Sequence, residues 1–277
     1  MTERQVGIRW TIGNVTAQGF EALRLAVWGA RKVFGPDAAY AVCVNSLSVA
    51  EARRRAGDLP EGIEWIAARG GLPEWLRPHV GENMAEGKAW KFDPLHAHPD
   101  RWEIAFDNDC ILWRMPESIR GWLEAGDEDR CLIAADVAAC HGAFSRYAGG
   151  EPRNAGIRGL PPRFPLADEL SAILTETPVV MTSELDEQGL QVAAVSRRKP
   201  PVVVGVDEVS ICSPFPPHLP DVGTCGVHFV GLNDHALPWK WYDRPASEVL
   251  REHWERLKPE VYARVEIDPP DAQAEAA

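Results

Sequence analysis

The stretch "RWEIAFDNDCILW", residues 101–113, sets an Asp-Asn-Asp triplet, Asp107 to Asp109, between two runs of strand-forming apolar residues. Unpartnered carboxylates in such a run are costly to bury, so the acids need a reason. One reading is alternation along a strand. Residues two apart share a face, so Asp107 and Asp109 would present both carboxylates together while Asn108 points away. The other is a turn, since Asp and Asn side chains bond nearby backbone where strands end. The apolar "CILW" after the acids means that they interrupt a hydrophobic stretch instead of closing it, which favours a cation as their partner. Hard oxygen donors suit Mg²⁺ or Mn²⁺, ions that keep open positions for the phosphates of a substrate.

Outward from this stretch, short β-branched or aromatic runs alternate with segments of helical periodicity, the pattern of a βαβ chain with a mostly parallel sheet flanked by helices. Strands are expected at "VGIRWTIG" (6–13), "AYAVCVN" (39–45), "GIEWIAA" (62–68), "RCLIAADV" (130–137), "NAGIRGL" (154–160), "PPVVVGVDEVSIC" (200–212) and "CGVHFVGLN" (225–233). Helices are expected over 16–35, over 48–57 with Ser48 as cap, near 82–98, over 165–176 and 184–198, and over 245–265. In a parallel α/β sheet, ligands bind at the carboxyl ends of strands, and the acidic triplet sits at such an end. Residues 1–266 read as one catalytic domain, and 267–277 as a disordered acidic tail of Pro, Ala and acids without an aromatic.

The chain of 277 residues is 45% hydrophobic, with a formal net charge of −12. That balance argues against nucleic acid as a partner, because sequence-independent affinity for it comes from Lys and Arg on phosphates. The basic runs at 53–55 and 197–199 read as a solvated helix face and a loop before proline. Six cysteines are scattered without a C-x-x-C pair, several inside apolar runs, as reduced core residues are. No run of about 18 apolar residues appears, nor a signal-peptide core, so no transmembrane segment and a cytoplasmic location are expected. No GxSxG, P-loop or GxGxxG motif stands out.

"WEIAFDNDCIL" resembles the Asp-x-Asp strand of nucleotide-sugar-dependent glycosyltransferases of the GT-A fold, the glycogenin-like and bacterial lipopolysaccharide galactosyltransferase-like enzymes. Four further stretches fall in the same order. "EGKAWKF" resembles the segment whose Lys or Arg approaches the donor, which implies Lys88 or Lys91. "NAGIRGL" resembles the Asn-Ser-Gly strand, with Asn154 polar and Gly156 allowing close backbone approach. "ELDEQGL" resembles the acidic segment near the sugar, which implies Asp186, Glu187 and Gln188. "GVHFVGLNDHALPWKW" resembles the late His-x-x-Gly and Pro-Trp segment, with His228 and Gly231 matching and the His as third metal ligand. Alone, a His between Val227 and Phe229 reads more often as a satisfied core residue than as a ligand, and the pairing with Asp107 and Asp109 is what promotes it. Members carry Lys directly before Pro-Trp, whereas this chain has Leu237 before Pro238, with Lys240 or His235 as substitutes.

The resemblance implies a GT-A-like, Rossmann-like α/β fold and a metal-dependent glycosyltransferase. A nucleoside-diphosphate sugar would be the donor, and a saccharide, lipid or protein hydroxyl the acceptor. Asp107, Asp109 and His228 would hold Mn²⁺ or Mg²⁺. Thr11, Asn14, Asn45, Lys88, Lys91, Asn154, Gly156, Gly231 and Lys240 would bind the donor, and Asp186, Glu187 and Gln188 would serve catalysis. Trp239 and Trp241 suit an acceptor platform, a membrane contact or a seal on the sheet edge. Two alternatives share the paired acids: a nucleotidyltransferase-like enzyme, and a degenerate protein that binds sugar nucleotide without turnover. The first would need an early basic Gly-rich loop, and "TIGNVTAQG" has no basic residue.

Overall fold

Residues 6–67 fold as their periodicity predicts. In a computed structural model that describes residues 4–68, 72–81, 89–235 and 237–269, Val6–Ile12 forms β1, Ala17–Phe34 α1, Ala39–Val44 β2, Val49–Ala56 α2 and Ile63–Ala67 β3. Both helices open on a hydroxyl cap: Thr16 accepts the Gly19 amide and Ser48 the Glu51 amide, each satisfying an N–H that the first turn leaves free. Then follow Trp102–Asp107 (β4), Cys110–Leu112 (β5), Glu117–Ala125 (α3), Leu132–Ala135 (β6), Ser145–Ala148 (α4) and Arg153–Leu160 (β7). Leu166–Glu176 (α5), Glu184–Ser196 (α6), Val202–Val204 (β8), Val209–Cys212 (β9), Gly226–Phe229 (β10), Lys240–Trp241 (β11), Arg244–Pro245 (β12) and Ala246–Val265 (α7) complete the order.

Seven strands form one sheet in the order β3-β2-β1-β4-β7-β6-β8. β3, β2, β1 and β4 run parallel, β7 runs antiparallel to both β4 and β6, and β8 is parallel to β6. A second sheet, β5-β10-β9, branches from the end of β4. The alternation of β1 explains the layering. Ile8, Trp10 and Ile12 enter the larger core with Phe20, Leu23 and Val27 of α1, while Arg9 and Thr11 face the other side. On that side α5 and α6 cover β6 and β7 around Ile133, Leu160, Leu170 and Leu190. Helix α1 also lies directly on β5: a Cβ at Gly29 would fall 2.0 Å from the Leu112 carbonyl oxygen, so only glycine permits this approach.

Three expectations need correction. The acidic triplet stands at a strand end, as expected, but its carboxylates are not brought together by alternation along one strand: β4 ends with Asp107, Asn108 and Asp109 turn, and β5 leaves in the second sheet. The single strand expected over 200–212 is two, because Glu208 and Val209 both donate to the Gly205 carbonyl in a turn that sends β9 into the other sheet. Of the helix expected near 82–98, residues 82–88, Lys88 among them, lie outside the described residues, and the rest forms only a 3-10 turn at Ala89–Phe92. Pro94 has no N–H to continue a helix, and side chains from the sheet take the following backbone groups instead. Helix α3 was not anticipated, although Pro116 before it and Gly126 in the left-handed region after it are ordinary boundary residues. Ile267 packs against the larger core, and residues 270–277 lie outside the described residues. Among the described residues no helix is long and apolar enough to cross a membrane.

Candidate active site

The turn after β4 brings three chemical groups together. Asn108 is buried and donates to the Gly19 carbonyl at 3.0 Å and to Asn233 Oδ1 at 2.7 Å. Asn233 in turn donates to Asp109 Oδ2 at 2.9 Å. With Asn108 anchored on one side, Asp107 and Asp109 converge on the other, where β10 supplies His228 opposite Cys110. His228 Nε2 lies 3.6 Å from Asp107 Oδ2 and 3.4 Å from Asp109 Oδ1. One donor atom from each residue falls within 4.8 Å of the others. Gly156 of β7 backs the imidazole, since a Cβ there would sit 2.4 Å from His228 Cε1. The close approach at Gly156 is to the histidine.

Charge compensates these buried acids. Lys91 Nζ lies 2.7 Å from Asp107 Oδ1 and 2.9 Å from Oδ2. Burial opposes ionisation of Asp107, but Lys91 and His228 outweigh it and hold the carboxyl below its usual range. Burial likewise opposes the charge on Lys91 and on His228. The carboxylates prevail in both cases, Asp107 over Lys91 and Asp109 over His228, and raise both pKa values. Asp109 Oδ1, turned to this cluster, is buried without a hydrogen-bond partner. Two carboxylates, one of them with this unmatched oxygen, and an imidazole make a donor set that fits a divalent cation.

Behind the cluster, Glu187 of α6 is 2% exposed, and burial raises its pKa to about 7. It accepts from Gln191, which accepts from Arg158 of β7. Arg158 is itself buried, with Nε and Nη2 lacking partners, and burial together with nearby Arg9 lowers its pKa to about 10.

The chain matches the crystal structure of the galactosyltransferase LgtC with donor and acceptor sugar analogues at a TM-score of 0.55, covering 98% of this chain and 99% of that one at 14% identity. The fold is GT-A. Mouse xyloside xylosyltransferase 1 in its apo form matches at a TM-score of 0.51 and 12% identity, covering 78% of this chain and 89% of that one. No protein-family model and no curated protein sequence matches the chain.

On this GT-A scaffold the other candidate residues separate. Asn154 bonds Asp136 Oδ2 at 3.0 Å and the Gly156 amide at 2.7 Å, so it holds the backbone behind His228. Asp186 is committed to backbone: its oxygens accept the amides of Thr182, Ser183 and Ala143 in the cap of α6. That leaves Glu187 as the acid of the segment with a shifted pKa near neutrality. Gln188 bridges the Cys140 carbonyl and the Ala155 amide. Thr11, next to last in β1, lies directly beside Asp107. Asn14 is exposed and bonded to Arg55, whereas Asn45 is buried with Nδ2 unpartnered at the end of β2. Gly231 adopts a φ of 86° in the loop carrying Asn233. Lys240 stands exposed on β11, and His235 bonds the Asn14 carbonyl at 2.9 Å. No contact joins either to the acidic cluster among the described residues. Trp241 packs edge-on against Phe215, while Trp239 stays 41% exposed. His96 bonds the Phe164 carbonyl and His98 packs on Gly7. Asn233, Gln191 and Arg158 went unread in the sequence, where an Asn after Gly-Leu and an Arg inside an apolar strand give no separate signal.

Proposed function

We propose that this protein is a metal-dependent glycosyltransferase that moves a sugar from a nucleoside-diphosphate sugar to a hydroxyl acceptor. The observation that carries the reading is the convergence of Asp107, Asp109 and His228, from two sheets, within one cluster on a GT-A fold. Asp107, Asp109 and His228 would hold Mn²⁺ or Mg²⁺, and the ion would supply Lewis-acid neutralisation of the leaving diphosphate. Lys91, 29% exposed, adds a positive charge beside the same phosphates. Asn45 and Thr11, at the ends of β2 and β1, flank the nucleoside, with the unpartnered Asn45 Nδ2 as a donor to the base or ribose.

Sugar transfer passes through an oxocarbenium-like state, so a carboxylate near the anomeric carbon stabilises the developing positive charge. Glu187 is assigned that work. Its pKa of about 7 leaves it able to exchange a proton near neutrality, as a base acting on an acceptor hydroxyl requires. Gln188, fixed between Cys140 and Ala155, orients the sugar beside it.

The test is a panel of nucleoside-diphosphate sugars incubated with the protein and Mn²⁺, with release of nucleoside diphosphate as the readout. One donor family should be consumed in the presence of metal and spared by chelator. Binding without consumption, across a panel of saccharide acceptors, would favour a degenerate sugar-nucleotide-binding protein. Release of pyrophosphate from a nucleoside triphosphate would favour a nucleotidyltransferase-like enzyme.

A further inference from the structure

We infer that Arg9 and Glu103 are positioning residues that hold Lys91 at the phosphate end of the site, an inference that rests on the reading of that site given above. β1 and β4 run parallel with Gly7 opposite Glu103 and Arg9 opposite Ala105. Alternation then places Arg9, Glu103 and Asp107 on one face of the sheet. The two charges are 2% and 1% exposed, and Arg9 Nε lies 3.3 Å from Glu103 Oε1. A buried ion pair is weak evidence of stabilisation, because well-packed apolar residues of similar volume often serve as well. What distinguishes this pair is where its remaining atoms go.

Arg9 Nη1 donates to the Pro94 carbonyl at 2.7 Å and Nη2 to the Lys91 carbonyl at 3.2 Å. Glu103 Oε2 accepts the Ala97 amide at 2.7 Å and the His98 amide at 2.5 Å. All four backbone groups belong to residues 91–98, a segment without helix or strand beyond Phe92. The His98 ring closes the far end against β1, where a Cβ on Gly7 would fall 2.6 Å from it. Arg9 therefore stands beneath the main chain of the residue whose ammonium meets Asp107. The planar guanidinium reaches two carbonyls at once, which the compact ammonium of lysine cannot reproduce.

The experiment reads binding of inorganic pyrophosphate in the presence of Mg²⁺ by calorimetry, for wild type, Arg9→Lys, Lys91→Met and the double variant. Arg9→Lys should weaken pyrophosphate binding about tenfold, the scale seen when an outer support of a site is lost. In the Lys91→Met background the same change should add less than about twofold, because Arg9 acts through Lys91. A purely structural role would weaken binding equally in both backgrounds, and that result overturns the inference, as does an Arg9→Lys variant with unchanged affinity. If Arg9→Lys does not fold, Glu103→Gln takes its place in the cycle. It keeps an oxygen for the two amides and removes the charge facing Arg9, so a smaller loss that vanishes with Lys91→Met is expected. Failure of the wild type to bind pyrophosphate with Mg²⁺ overturns the reading of the site itself, a different result from binding that ignores Arg9.

Discussion

Lys91 Nζ lies within 2.9 Å of both carboxylate oxygens of Asp107, the residue that also faces His228. The ammonium and a divalent cation would thus share one carboxylate, and removing the ammonium frees it. Lys91→Met should bind Mn²⁺ alone severalfold more tightly, since one Coulombic competitor at close range is gone. It should bind Mn²⁺ with a nucleoside diphosphate more weakly, because the phosphates lose a positive contact. Electron paramagnetic resonance of free Mn²⁺ checks the first change and calorimetry the second. Weaker binding of the metal alone would contradict this account of Lys91.

Asp109→Asn removes the charge of the most buried acid of the cluster while keeping an oxygen for Asn233. The folded state should survive, with a melting temperature within a few degrees of wild type. The rise in melting temperature produced by Mn²⁺ should disappear, since only a ligand bound to the native state stabilises it. Retention of that metal-induced shift would remove Asp109 from the site.

Gly156→Ala probes the backing of the imidazole. A methyl group 2.4 Å from His228 Cε1 forces the ring or β7 to move. Overpacking of this kind costs about 1–3 kcal/mol. Metal affinity should fall with stability, whereas an alanine at exposed Gly121, where a Cβ meets nothing within 4 Å, should leave the metal affinity unchanged.

Acid should destabilise the fold through His253. This residue of α7 is 7% exposed, with Nε2 3.3 Å from Cys212 Sγ and Nδ1 3.3 Å from Arg256 Nη2. Burial, reinforced by Arg256, lowers its pKa to about 4, while nearby Asp221 pulls the other way. The unfolded chain binds this proton below about pH 6.5 and the folded one does not until about pH 4. The contribution is therefore complete above pH 6.5 and is lost as pH falls to 4, by at most about 3 kcal/mol. Burial lowers the pKa values of His96, His98 and His141 in the same sense. Urea unfolding of His253→Gln between pH 4 and 7 should give a shallower dependence on pH than wild type; identical slopes would contradict the assignment.

How far the sequence could be read follows from where each signal resides. The strands from β1 to β3 and the helices α1 and α2 were legible because Ile8, Trp10, Ile12, Phe20 and Leu23 repeat at the periods of the elements that bury them. Asp107 and Asp109 were legible as acids in an apolar run, but their convergence comes from a turn pinned by Asn233, not from the pleat. His228 looked like a core residue until it could be set beside those acids in an ordered series of motifs. Arg9 and Glu103 stand 94 positions apart by their numbering, and only the register of β1 on β4 pairs them. Because their side chains take the backbone of residues 91–98, local periodicity misread that segment as helix. Lys240, matched through the Pro-Trp motif, stands on an exposed hairpin, because the turn chemistry of residues 240–245 decides its direction.

In the proposed enzyme one divalent cation would be shared by Asp107, Asp109, His228 and the diphosphate of a sugar nucleotide. Anomalous diffraction from crystals grown with Mn²⁺ and the nucleoside diphosphate of the consumed donor tests it most directly. A single strong peak in contact with both carboxylates, His228 Nε2 and phosphate oxygens is expected. A diphosphate bound elsewhere, or bound at this cluster with no metal peak beside it, would contradict it.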